Sequence, residues 1–402
     1  MNLSSPKAVL ESLFTGPPHG VEVLMFTALA FIVATYVGYP VVLMLFSRFA
    51  SKPLRPAAGG SPDTQGGALP QVTCIVATHN EGEQLVTKVR NLLDLDYPAE
   101  RLKVLIADDS STDGSPARAQ ALNPQRVRVV SNLSRKGKSF ALVQAVKASE
   151  GDLLLMCDTR QRFEAGVARA LVRPFADPSV GAVTGCLLLE GTRGPGVYWR
   201  YELAIRKMEA RVGSVVGVTG AIYAIRRECF PLELPPETLL DDLYVPMRAV
   251  LAGWRVVCAE DARAFDVEQN VEREFERKVR TLTGNYQLVA LLPWLLLPWR
   301  NPLFWQFAWH KLARLLCPWA LALALLCSLV APGLRPMLIT LLLLGVCALA
   351  AFGMLRGERA GRLARLCHTF LALNFAAVMG LWNYLRGDFQ VTWNITHQKG
   401  PV

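Results

Sequence analysis

Lys103-Val-Leu-Ile-Ala-Asp-Asp-Ser-Ser-Thr-Asp-Gly-Ser115 is the stretch on which the fold turns. Its apolar run, 104–107, has the length and β-branched content of a buried strand. The run leads straight into two carboxylates, three small hydroxyl residues, a third carboxylate and a glycine. In an open α/β sheet, ligands settle beyond the carboxyl ends of the strands. Acidic residues there can meet a base, a sugar or a cation. The same residues also read as a plain turn, with Asp113 or Ser115 capping the next helix.

The surrounding pattern extends the first reading. Residues 71–77 are expected as the opening strand, closed by Thr78-His79-Asn80-Glu81-Gly82, with a helix over 83–95. Further strands are expected at 103–107, 127–131 and 152–157, the last ending at Asp158. A helix over 138–149 places Ala141, Leu142, Ala145 and Val146 on one face. Strands alternating with helices predict an α/β domain on a mainly parallel, Rossmann-like sheet. The second half is less regular: a strand at 180–189, a helix at 198–212, and a glycine-punctuated loop and strand over 214–225. A helix at 242–252, a strand at 255–258 and a charged helix at 268–286 complete it.

Composition adds a second theme. The 402 residues carry a formal charge of +10 and are 52% hydrophobic, and the mean hydropathy is positive. Residues 23–46 hold no charge, and His368 is the one Asp, Glu, Lys, Arg or His side chain within 315–334, 336–355 and 366–385. A bilayer core takes about 20 apolar residues as helix, so four spans are expected, with transmembrane helices before and after the α/β domain. The first is too long, and too poorly provided with a cleavage site, for a signal peptide. Basic residues flank 47–314 (Arg48, Lys52, Arg55, Lys311, Arg314) and fill 356–365, whereas the loop between the second and third spans has Arg335 alone. The positive-inside rule then puts 47–314 in the cytoplasm and both termini outside.

The expected plan is an extracytoplasmic lead-in at 1–22, a span at 23–46 and a Pro/Gly/Ala/Ser-rich linker at 47–70. The catalytic domain follows at 71–286, then an interfacial segment at 287–311 with Trp294, Trp299, Trp305 and Trp309. Spans at 312–334, 336–355 and 366–385 and a tail at 386–402 complete the chain. Positive charge gathered at membrane ends fits anionic lipid, not nucleic acid. Nine cysteines without close spacing indicate neither a disulfide framework nor a zinc site.

Four acidic groups follow strand ends or loops: Asn80-Glu81, Asp108-Asp109, Asp158 and Asp241-Asp242. Arg277 and Arg280 add fixed cations. A nucleoside diphosphate leaving group calls for such a set: acceptors for base and ribose, a cation at the diphosphate, and a carboxylate to deprotonate an attacking hydroxyl.

Over about 71–280 the chain resembles membrane-embedded family-two glycosyltransferases of the GT-A fold, the group of cellulose, chitin-oligosaccharide and hyaluronan synthases. Val72-Thr73-Cys74-Ile75-Val76-Ala77-Thr78-His79-Asn80-Glu81 resembles the strand and loop that hold uridine. Ile106-Ala107-Asp108-Asp109-Ser110-Ser111-Thr112-Asp113-Gly114 matches the DD-S-x-D-G signature, and Gly137-Lys138 the GK before a helix. The resemblance implies donor contacts by Thr78, Asn80, Glu81, Asp109 (at the uracil), Lys138 and Asp158. It makes Asp242 the catalytic base beside Asp241, with Gly253-Trp254-Arg255 completing that block, and Gly217, Thr219 and Gly220 the acceptor-side loop. Arg277 and Arg280 stand where processive synthases grip the diphosphate.

Two positions depart from the pattern. Asp158 begins the family's D-x-D, which holds Mg2+ or Mn2+, but Arg160 replaces the second Asp. A divalent ion on Asp158 is therefore expected with reduced dependence or altered geometry, and Arg160 is expected to offer its own charge to the donor. Thr281 replaces the stacking Trp after Arg280, which tells against long processive polymerisation.

The resemblance thus implies an inverting transferase moving a sugar from a nucleotide donor, expected to be UDP-linked. The acceptor would be a saccharide or a lipid, met at the cytoplasmic face of a bacterial inner membrane. The alternative is a non-processive transferase acting on a lipid or lipid phosphate. A dinucleotide-dependent oxidoreductase would need Gly-x-Gly-x-x-Gly after the first strand, and a transporter would show charged or broken helices at the membrane midplane. Neither pattern is present.

Overall fold

The computed structural model describes residues 20–55, 69–190, 197–267 and 271–389. Most of the expected lead-in, the middle of the linker and the tail beyond 389, with Trp393 and His397, lie outside the described residues.

The strands are β1 (Val72–Thr78), β2 (Leu102–Asp108), β3 (Val127–Ser131), β4 (Leu153–Cys157), β5 (Arg162–Phe163), β6 (Val180–Glu190), β7 (Ile222–Arg226) and β8 (Arg255–Val267). Among the described residues they form one sheet in the order β3-β2-β1-β4-β7-β6-β8-β5. The first four run parallel. β7 then runs antiparallel to both neighbours, β4 and β6. Every residue of β1 and β4 is buried, which is why these strands read as continuous apolar runs and not as alternation.

Register decides where the chemistry gathers. Thr78 pairs with Asp108, and Asp108 with Ser131, while Val76 pairs with Cys157. The strand-end residues Thr78, Asp108 and Asp158 therefore share one edge of the sheet.

In chain order the helices are α1 (Gly20–Phe49), α2 (Glu83–Leu93), α3 (Ser115–Gln120), α4 (Lys138–Ala148), α5 (Val167–Val172), α6 (Val197–Val212), α7 (Asp241–Leu251), α8 (Val271–Leu291), α9 (Phe304–Val330), α10 (Leu334–Arg356) and α11 (Arg362–Arg386). α2 buries Leu85, Val86, Val89 and Leu92, the i, i+1, i+4, i+7 pattern of a helix laid on a sheet. Leu85 and Leu92 are wholly shielded from solvent, and truncating either to Ala should cost about 2–5 kcal/mol.

Several boundaries differ from expectation. β8 runs from Arg255 to Val267, well past the four residues expected. Glu260, Asp261 and Asp266 break its apolar pattern, yet its backbone is held on both sides, by β6 and β5. β5 and α5 are too short to carry a periodic signal. The expected span at 312–334 is instead the helix Phe304–Val330, and Leu334 opens the next one. Pro332 and Gly333, the latter at φ +114°, make the break between them. Lys311 and Arg314 thus lie inside a helix and not ahead of it.

The chain divides into two compact units. One, Leu43–Val271 with Gly284–Phe307, contains the sheet. The other, Met1–Val42, Glu272–Thr283 and Ala308–Arg386, contains the long apolar helices. Within the second unit α1 packs along α9, where the rings of Phe31 and Trp309 lie 6.2 Å apart, and Tyr36 meets Phe370 of α11 edge to face at 5.4 Å. α1, α9, α10 and α11 are each long and apolar enough to cross a membrane.

Candidate active site

Beyond β1 and β2 the backbone is strained. Asn80 (φ 53°) and Ser110 (φ 65°) are the non-glycine residues with positive φ among those described, and such conformations collect at functional sites. Side chains hold the two turns together. The Asn80 amide N–H donates to Ser111 Oγ (2.9 Å), and Asn80 Oδ1 accepts from the Thr112 N–H (2.8 Å). Asp113 accepts from the Gly82 N–H (2.8 Å) and from both N–H and Oγ of Ser115 (2.9 and 2.7 Å). Burial alone would raise the Asp113 pKa, but these bonds hold it below the ordinary aspartate value. His79 donates through Nδ1 to the Asp109 carbonyl (2.7 Å), a structural role. Thr78 Oγ1 is buried without a hydrogen-bond partner.

Asp109, expected at the uracil, is almost wholly buried. Its Oδ1 accepts from Asn132 Nδ2 (2.9 Å) and the Lys136 N–H (2.8 Å), and its Oδ2 from the Gly137 N–H (2.8 Å). The carboxylate thus braces the loop that enters α4. Gly137 sits at φ +90°, a conformation that glycine adopts without strain, and Lys138 follows as the first residue of the helix.

That brace aims Lys138 across the sheet edge. Its Nζ donates to Asp158 Oδ1 at 2.9 Å and lies 3.5 Å from Asp241 Oδ2. Burial alone would lower the Lys138 pKa, but the carboxylates of Asp158, Asp241 and Asp242 hold its ammonium above the ordinary lysine value. Asp241 and Asp242 occupy the first turn of α7, where the helix N-terminus favours negative charge. The helix entry is fixed from outside: Gln287 accepts from the Leu239 N–H (2.9 Å) and donates to the Glu237 carbonyl (2.8 Å), and Ser139 Oγ donates to the Thr238 carbonyl (3.1 Å).

The glycine loop packs against Asp242. The Val218 N–H donates to the Asp242 carbonyl (3.0 Å). A Cβ at Gly220 would lie 3.2 Å from Asp242 Cβ and 3.3 Å from Oδ2, and one at Gly217 would meet Leu243 at 3.0 Å. Thr219 accepts from Arg206 Nη1 through its Oγ1 (2.9 Å). Lys138, Asp158, Asp241, Asp242, Gly217, Thr219 and Gly220 therefore form one constellation.

Three further expected residues have partners or places of their own. Arg160 turns to Asp266, with Nε to Oδ1 at 2.9 Å and Nη2 to Oδ2 at 2.7 Å. Burial would lower its pKa, but Asp266, Asp158 and Glu81 hold the guanidinium above its ordinary value. Arg277 and Arg280 belong to the unit of apolar helices, and Arg277 pairs with Glu274 (2.9 Å).

Residues 73–230 match the family model described as glycosyl transferase family 2. Over those residues the chain carries a family 2 glycosyltransferase domain. Among its relatives is the beta-monoglucosyldiacylglycerol synthase of Synechocystis sp., 30% identical over 199 residues, covering 46% of this chain and 42% of the relative. An N-acetylglucosaminyltransferase of Bradyrhizobium diazoefficiens is 25% identical over 285 residues, covering 65% of this chain and 59% of the relative. The chain thus spans about half the length of these relatives. The mannosyltransferase of Pyrobaculum calidifontis, solved in complex with GDP-Man and Mn2+, superposes with a TM-score of 0.67 at 23% identity, over 90% of this chain and 99% of that one. The sheet of the family 2 domain has this GT-A, Rossmann-like arrangement.

The family 2 domain offers little to a metal ion by itself. Among the described residues no three His, Cys, Asp or Glu side chains gather as ligands. Asp158 would hold such an ion beside the donor, where its charge would offset that of the diphosphate, and Mg2+ commonly takes only one or two protein carboxylates. Asp158 by itself does not make a protein-only cage.

Sequence reasoning missed two members of the site. Tyr223 of β7 is buried, and its hydroxyl has no hydrogen-bond partner. Burial and then Asp241, Asp242 and Asp158 push its pKa well above the ordinary tyrosine value. Its place in an apolar strand hides it. Gln287 lies 45 residues beyond Asp242 and gives no local signal.

Proposed function

We propose that this protein is an inverting glycosyltransferase that moves a sugar from a UDP-linked donor to a saccharide or lipid-linked acceptor at the cytoplasmic face of a membrane. The observation that carries the reading is Lys138 bridging Asp158 and Asp241 beside Asp242, at the carboxyl edge of the sheet. Base and ribose lodge against Thr78, Asn80, Glu81 and the loop that Asp109 braces. Lys138 exchanges part of its contact with Asp158 for diphosphate oxygen, lowering the charge that builds on the leaving group. A divalent ion on Asp158, when bound with the donor, supplies the same kind of charge neutralisation.

The acceptor hydroxyl attacks the anomeric carbon from the face opposite the diphosphate. The bond from that carbon to the diphosphate oxygen breaks, and UDP leaves with the electron pair. Asp242 takes the hydroxyl proton. Asp241, held to Lys138, keeps α7 in place. A Cβ at position 220 would press on the Asp242 carboxylate, and glycine leaves room on that side for the acceptor.

A lipid acceptor is favoured over a long polysaccharide by one feature: Thr281 follows Arg280, so no indole is available there to stack on a growing chain. The diacylglycerol glucoside named for one relative supports the same choice. The test is nucleoside diphosphate release by purified full-length protein given a panel of UDP- and GDP-sugars with lipid or saccharide acceptors, followed by mass analysis of the product. UDP release with a glycolipid product is expected. Release from no donor in the panel overturns the reading.

A further inference from the structure

Asp266, at the end of β8, is buried to 3% exposure and has both oxygens fully engaged. Oδ1 accepts from Arg160 Nε and the Val267 N–H (both 2.9 Å), and Oδ2 from Arg160 Nη2 (2.7 Å) and Gln161 Nε2 (2.9 Å). Behind the same loop, buried Lys88 donates through Nζ to the Gln161 carbonyl (2.8 Å) and lies 3.2 Å from the centre of the Phe163 ring. Asn91 closes the loop with two bonds to the Phe163 backbone, at 2.9 and 2.7 Å. Arg160, Gln161 and Phe163 are thus tied down, and Asp158 is the member of that turn facing Lys138.

We propose that Asp266 is a positioning residue for the donor site: it latches Arg160 and Gln161 so that Asp158 is presented at a fixed place to the diphosphate. This rests on the function proposed above. Pairing a buried carboxylate with a guanidinium gives little net stability compared with apolar packing, but the forked, two-bond geometry fixes position and direction. In this chain the position that departs from D-x-D is tied to Asp266. It converts a second ligand into a tether, and β8 holds the other end. Lys88 grips the same loop through the Gln161 carbonyl, so the turn is held from two sides.

Full-length protein in detergent carrying Asp266→Asn, Arg160→Lys or the swapped pair R160D/D266R tests the latch. The readouts are UDP affinity by calorimetry, donor KM and kcat separately, melting temperature, and hydrogen exchange over 158–163. Asp266→Asn and Arg160→Lys should raise donor KM between about tenfold and 10²-fold, weaken UDP binding in parallel, leave kcat much less changed and speed exchange over 158–163. The swapped pair should recover part of the lost affinity. An unchanged KM with only a lower melting temperature overturns the proposal, as does unchanged exchange in Asp266→Asn. If the unaltered protein binds no nucleoside diphosphate, the proposed function fails instead, and hydrogen exchange alone decides the latch.

Discussion

Two acidic regions lie along one sheet edge and use the same residue types in opposite ways. Beyond β1 and β2, the oxygens of Asp109 and Asp113 are spent on backbone N–H groups and neighbouring side chains. Beyond β4 and at the start of α7, Asp158, Asp241 and Asp242 surround one ammonium. The first region builds shape, because hydrogen bonds to fixed backbone donors leave a carboxylate nothing to exchange. The second holds charge in a form a ligand can enter, since Lys138 can trade one oxygen for another. A carboxylate in a motif therefore does not announce its job; its hydrogen-bond partners do.

The contrast is sharpest at Asp242. Asp242→Asn should lower sugar transfer by roughly 10²–10⁴-fold while the melting temperature stays within about 2 °C of the parent. A variant that unfolds without a specific loss of turnover would erase the distinction between the regions. Asp109→Ala should do the reverse and strip several buried donors of their acceptor. The expected cost is about 3 kcal/mol, seen as a fall in melting temperature of roughly 6–12 °C. Were Asp109→Ala to melt normally yet lose donor affinity, Asp109 would be a base contact and not a brace.

A smaller effect lies at the bridge itself. Lys138→Met should cost about 2 kcal/mol, reduced from a fully buried pair by the exposure of Asp158. Since the Lys138 pKa is raised on folding, its stabilisation is complete below the ordinary lysine value of about 10.4. It is lost only as pH climbs through the raised value. Melting curves of parent and variant should therefore stay evenly separated from pH 7 to about pH 10 and converge above that. Convergence near neutrality would mean the bridge is not as close as it stands here.

Much of this was legible beforehand, for definite reasons. β1 to β4 announce themselves because parallel strands covered on both faces must be apolar throughout. Asp158, Lys138 and Asp242 were legible as a set through motif spacing, and the glycines at 217 and 220 through their place before α7. The direction in which Arg160 points was not, because its partner lies 106 residues away on a strand whose charged tail hides it. Tyr223 and Gln287 share that problem: each acts through contacts with residues distant in sequence. The break at Pro332-Gly333 was written in the chain, yet the apolar count ran through it.

The pairing of α1 with α9 carries a consequence for synthesis. Phe304 follows Phe49 by 255 residues, which at 5–20 residues per second is roughly 13–50 s of translation. For that interval the first helix has none of its later companions, while the entire sheet emerges from the ribosome. Its lack of charge between Val23 and Phe46 suits a segment that waits alone in lipid, and the docking rings of Phe31 and Tyr36 await Trp309 and Phe370. Folding of the sheet can thus precede bundle closure during biogenesis.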